Sequence, residues 1–131
     1  MRTRLIRASG ALLVAIEGLV LVALTIWQFA ALVAGDAGAV DSAVALIVLT
    51  AVGAVIVIAF AVAILRGRSW ARSGGIVTQV LILAVALGAA TGAYAHPLIG
   101  IVIAIPAIVT LVLLAIAARD AGREASARAE G

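Results

Sequence analysis

The sequence predicts an all-α membrane protein, a bundle of four transmembrane helices, and three observations lead there. The chain of 131 residues is 66% apolar and only 11% charged, with a mean hydropathy of +1.35. A soluble domain is roughly half apolar and about a quarter charged, so this chain has too few polar groups to cover a water-facing surface. The apolar residues fall in four long runs, and the arginines stand outside those runs in three groups. Lipid satisfies no backbone donor or acceptor, which leaves helices of about 20 residues or closed barrels. Barrel strands alternate in hydrophobicity over about ten residues. These runs are apolar on every face, so helices are expected and the whole chain, 1–131, reads as one membrane domain.

The first span is expected over 8–33, with Glu17, Thr25 and Gln28 among its apolar residues. A basic start before an apolar stretch also describes a secretory signal, and AGA at 37–39 resembles a small-residue cleavage site. The stretch is much longer than an apolar signal region of about 7–15 residues and carries a glutamate, so a retained helix is expected. A short link with GDAGAVD at its centre follows, in which Asp41 or Ser42 is placed to cap the second helix. The second span is expected over 42–65 and the third over 75–94. After AHP at 95–97, Pro97 can open the fourth helix at its first turn. The fourth span is expected over 98–118, with a kink at Pro106 where the ring frees a carbonyl. The tail, 119–131, is polar and alanine-rich, and either extends the last helix or frays.

Orientation follows from the charges. Arg2, Arg4 and Arg7 precede the first span; Arg66, Arg68 and Arg72 lie between the second and third; Arg119, Arg123 and Arg128 follow the fourth. Alternating crossings put all nine on one side, and leave Asp36, Asp41 and His96 on the other. Basic residues stay cytoplasmic, so both termini are expected inside a bacterial cytoplasmic (inner) membrane crossed four times. Trp70 and Tyr94 fall where amphipathic rings favour the headgroup region. Trp27 lies about two turns inside the outer end of the first span.

Glu17 is the one ionisable side chain within a span, about 14–18 Å from the cytoplasmic start of its helix. A carboxylate at that depth costs several kcal/mol, so it faces the bundle, takes up a proton, or both. Gly10 and Gln28 fall within about 20° of Glu17 around the helix and Thr25 within about 80°, which makes one polar stripe. Thr110 lies at similar depth and is the first candidate partner. Gln79, counted from the start of its own span, sits about two to three turns nearer the cytoplasm and would need a water or a tilt to reach Glu17. Glu17, Gln28, Gln79 and Thr110 are thus the candidate intramembrane polar site. Ala84, Gly88 and Gly92 form a small-xxx-small row that lets another backbone approach, inside the bundle or across a dimer interface.

No cysteine is present, which excludes disulfides, thiolate metal sites and a cysteine nucleophile. His96 alone is a poor metal ligand set and gives no support for haem. The sequence holds no Walker loop, GxSxG, HExxH, paired carboxylates or dinucleotide fingerprint, so no catalytic residue, metal or cofactor is expected. The net charge of +3 and the basic loop RGRSWARS are accounted for by topology, and nucleic acid is not an expected partner.

The segment GRSWARSGGIVTQVLIL at 67–83 resembles a group of small four-helix membrane proteins common in actinobacteria. These carry a glutamate in the first helix, matched by Glu17, and a Trp-Ala-Arg segment followed by a glutamine, matched by Trp70, Ala71, Arg72 and Gln79. The resemblance implies the four-helix architecture and no particular mechanism. The first helix, GALLVAIEGLVLVALT, also looks like that of small multidrug resistance transporters, whose first-helix glutamate exchanges protons for cationic drugs. That resemblance implies a coupling role for Glu17. The chain departs from it in two ways: its AYA, at 93–95, has no tryptophan after it, and its charge bias is nine against none.

The expected function is a non-enzymatic membrane bundle, serving as an accessory or scaffold subunit or as a homo-oligomer. Lipid, a membrane-protein partner or further copies of the chain are its expected company. The alternative is a small proton-coupled transporter or channel with Glu17 as the coupling carboxylate. A membrane enzyme ranks third, because it needs at least two convergent polar groups and the sequence places only one.

Overall fold

The computed structural model describes residues 2–92 and 95–131. It contains α1 (Arg2–Ala34), α2 (Val40–Leu65), α3 (Ser69–Thr91) and α4 (Pro97–Glu130). Each of the four is long and apolar enough to cross a membrane. Even α3, with 23 residues, is about 34 Å long at 1.5 Å per residue, against a hydrocarbon core of roughly 30 Å.

The helices overrun the apolar runs, chiefly at their arginine-bearing ends. α1 begins at Arg2, α3 begins at Ser69, and α4 continues through the tail to Glu130. Hydropathy marks the apolar part of a helix, whereas the helix itself continues wherever good helix formers follow, and arginine and alanine are among the best. Pro106 lies inside α4, which runs on through it. Tyr94, expected as an anchor at the end of the third span, lies outside the described residues.

Short links join the helices, and their residues explain the turns. At the end of α1, Asp36 N–H donates to Ala31 C=O and Gly35 N–H to Leu32 C=O; at the end of α2, Arg68 N–H donates to Ala63 C=O and Gly67 N–H to Ile64 C=O. Both are Schellman caps, and Gly35 and Gly67 stand at φ +82° and +73°, a region that penalises any Cβ. The cap expected from Asp41 or Ser42 is not made. Ala39 occupies that position without a side-chain bond, and Asp41 falls in the first turn of α2, where its charge complements the helix dipole. Pro97 opens α4.

α1 packs most extensively on α2, and α3 on α4; α4 also packs on α1, and α2 on α3. The neighbours close into a ring, with α1 diagonally opposite α3. The Arg7 guanidinium lies beside Gly67, so the N-terminal arginines and the α2–α3 link share one end of the bundle. The core includes Ala11, Val14, Ala61, Ile64, Ala71 and Leu114. Among the described residues, eight of the twelve buried apolar ones are alanine, while Leu49, Val55, Val85 and Leu98 are each more than 60% exposed. Small residues inside and large ones outside invert the soluble pattern. The inversion suits lipid, which is as apolar as leucine, so that helices associate by close packing instead of by escape from water.

Glycines help to set that closeness. A Cβ at Gly18 would stand 2.6 Å from Ile58 Cγ1, and one at Gly100 would stand 2.7 Å from the Ala86 carbonyl oxygen. The α3–α4 contact therefore runs through Ala86, Ala90 and Gly100. Ala84, Gly88 and Gly92, the row expected to pack, are all exposed, and a Cβ at Gly88 would meet nothing within 4 Å. Ala86 is about 200° around the helix from Ala84, so α3 turns its other face to α4. Of the two places expected for the row, the interior of the bundle is excluded.

Candidate functional site

Gly18 brings α1 hard against α2, and Glu17, about 100° further round the same turn, reaches across the bundle. Its Oε2 accepts a hydrogen bond from Gln79 Nε2 on α3 at 2.6 Å, and its Oε1 faces Thr110 Oγ1 on α4 at 3.4 Å. Gln79 and Thr110 are fully buried and Glu17 is half-buried. Three helices thus meet at one carboxylate, one of them diagonal to α1.

The two contacts differ in quality. The first, at 2.6 Å, is shorter than the roughly 2.7–2.9 Å of a charge-assisted N–H···O bond, whereas 3.4 Å exceeds the usual 2.5–3.0 Å of an O–H···O bond. Thr110 is nonetheless distinctive. Thr25, Thr50, Thr78 and Thr91 each donate to the carbonyl four residues back at 2.8–2.9 Å, and Thr110 instead turns its hydroxyl to Glu17. Gln79 leaves one atom over: its Oε1 is buried and meets no donor among the described residues.

Sequence reasoning ranked the partners in the wrong order. Gln79, placed too near the cytoplasm to reach Glu17 unaided, is bonded to it directly, while Thr110 stands farther off. The error came from counting depth from the apolar edge at Gly75, six residues after α3 begins. Counting from the nearest flanking arginine narrows it: Glu17 lies ten residues past Arg7, Gln79 seven past Arg72 and Thr110 nine before Arg119, about 10–15 Å along a helix.

Gln28 does not join this group. It sits eleven residues further along α1, about 16 Å away, and borders a recess between α1 and α2 with Trp27, Asp36, Ala43 and Leu46. Its Oε1 is also buried without a donor among the described residues. Thr25, at the edge of the expected stripe, bonds back to Leu21. The polar stripe of α1 is therefore divided, with Glu17 in the middle of the bundle and Gln28 near its arginine-free end.

No protein-family model matches this chain, and neither a curated protein nor a solved structure matches it. The site is characterised by its own chemistry. One carboxylate, one amide and one hydroxyl make a hydrogen-bonded joint between helices. Among the described residues, no group of three or more His, Cys, Asp or Glu side chains converges. General acid–base work requires a titratable group within hydrogen-bond reach of the reacting atom and tuned to its task, and Glu17 stands alone in that respect within the spans.

Proposed function

We propose that this chain is a multi-pass protein of a bacterial cytoplasmic membrane, with both termini inside, that works without catalysis. It serves as an accessory or scaffold subunit, or as a homo-oligomer. The observation that carries this reading is the engagement of the only carboxylate within the spans: Gln79 bonds to it, and Thr110 is turned towards it. Polar groups spent on joining α1, α3 and α4 hold a bundle in register, as interhelical hydrogen bonds do in membranes. The exposed row of Ala84, Gly88 and Gly92 adds a face on which another helix can pack closely.

The test is the mass and composition of the tagged protein extracted gently from its native membrane. One defined larger partner, or a homogeneous oligomer, is expected, and Gly88→Leu should dissociate it while Glu17→Gln leaves it assembled. A monomer in native membranes would overturn the reading. A proton-coupled transporter or channel is the second reading, favoured by the depth of Glu17 and the absence of any basic residue within the spans. It requires that Glu17→Gln abolish proton flux in reconstituted vesicles, and an unchanged flux would end it.

A further inference from the structure

Glu17, Gln79 and Thr110 present two liabilities that hydrogen bonding between them does not remove. The first is charge. An ionised carboxylate at mid-depth has no arginine, lysine or histidine at its level, and two neutral donors solvate its charge without cancelling it. The second is the Gln79 carbonyl oxygen, buried with no donor among the described residues, a condition that costs about 1–3 kcal/mol. A proton on Glu17 would answer the first liability and leave an unpartnered polar atom on the Gln79 amide. A cation held by the carboxylate and coordinated by the Gln79 carbonyl oxygen would answer both.

We infer that Glu17, Gln79 and Thr110 form a binding site for a small monovalent cation of the sodium kind. The chemistry of the donors fits. A carboxylate, an amide carbonyl and a hydroxyl are all hard oxygen ligands, the set that selects hard cations over zinc or copper. One carboxylate balances one positive charge, whereas a divalent ion would leave a net charge buried in lipid. The spacing fits as well. Two oxygens at right angles around an ion about 2.4 Å from each, the calcium-like distance that sodium shares, lie about 3.4 Å apart. Thr110 Oγ1 and Glu17 Oε1 are 3.4 Å apart, too far for a good hydrogen bond and suited to a shared ion. The rotamer of Thr110, which forgoes the backbone bond made by Thr25, Thr50, Thr78 and Thr91, points its oxygen at the same place. The inference is independent of the scaffold reading, because a bound ion can hold a bundle together or pass through it.

The experiment is equilibrium binding of radioactive sodium to the full-length protein in lipid nanodiscs, with choline chloride holding ionic strength constant. Saturable binding of one ion per chain is expected. Gln79→Leu and Thr110→Val should each weaken it at least tenfold, Glu17→Gln should abolish it, and Gln28→Leu should leave it unchanged. Thermal unfolding of the wild type should shift upward with sodium and not with choline, as any ligand specific to the folded state requires. This readout needs no variant to fold. Absence of saturable sodium binding by the folded wild type, together with an infrared band of a protonated carboxyl that Glu17→Gln removes, would show that a proton alone occupies the site and overturn the inference. Binding that survives Gln79→Leu and Thr110→Val would also overturn it.

Discussion

Gln79→Leu takes from Glu17 the shorter of its two contacts and at the same time removes the buried Oε1 that has no donor among the described residues. The two effects oppose each other, so the net loss of stability should be about 1–2 kcal/mol, near the lower part of the range for stranding a buried polar group. Thr110→Val gives up only a 3.4 Å contact and should cost less than about 1 kcal/mol. A double-mutant cycle between Glu17→Gln and Gln79→Leu should give a coupling of about 0.6 kcal/mol, the average for interhelical hydrogen bonds in membranes, and no more than about 1.7 kcal/mol. Denaturation in mixed micelles reads all three values, and a coupling of zero would mean that the residues meet without interacting. Glu17 was legible in the sequence because a lone acid in an apolar run stands out. Its true partner was not, because depth depends on where a helix begins, and apolar runs do not mark that point.

Helix contacts depend on which small residues face inward, and composition alone cannot say. Alanine and glycine are so frequent here that a four-residue spacing picks out Ala84, Gly88 and Gly92, yet the close approach of α3 to α4 runs through Ala86, Ala90 and Gly100. Gly100→Val would force a side chain against the Ala86 carbonyl oxygen at 2.7 Å. Backbone cannot yield as a flexible side chain can, so a loss of about 1–3 kcal/mol or more is expected. Gly88→Leu meets open space in the single chain, and the unfolding free energy of the monomer should change by less than about 0.5 kcal/mol, as for surface substitutions generally. The contrast between these two substitutions in the same unfolding assay separates packing within the bundle from packing between bundles. Gly67→Ala belongs to the same scale. At φ +73° it should cost about 1 kcal/mol through the Schellman cap. The four helices and the shortness of their links followed from the sequence, since long apolar runs and Gly or Pro punctuation act locally. Caps and faces did not, because they depend on neighbours distant in the chain.

At the scale of the molecule, the proposed orientation rests on the charge distribution. The Arg7 guanidinium lies beside Gly67, so two of the three arginine groups share one end, while Asp36 and Asp41 follow the far ends of α1 and the link beyond it. Transferring these arginines across a bilayer would cost several kcal/mol for each charge that passes its centre, and short basic segments are the ones retained inside. The absence of cysteine makes the consequence directly measurable, because any thiol introduced is the only one. Ser126→Cys, in the part of α4 beyond the apolar run, should resist a membrane-impermeant maleimide in intact cells and react once the membrane is opened. Ala37→Cys, in the α1–α2 link, should react in intact cells without treatment. Reversed labelling would place the arginines outside, against the charge rule. Labelling of both positions in intact cells would mean that copies insert in both orientations. Replacing Arg66, Arg68 and Arg72 by glutamine should begin to produce that mixed pattern, since it removes one third of the nine charges from the α2–α3 link and the first turn of α3.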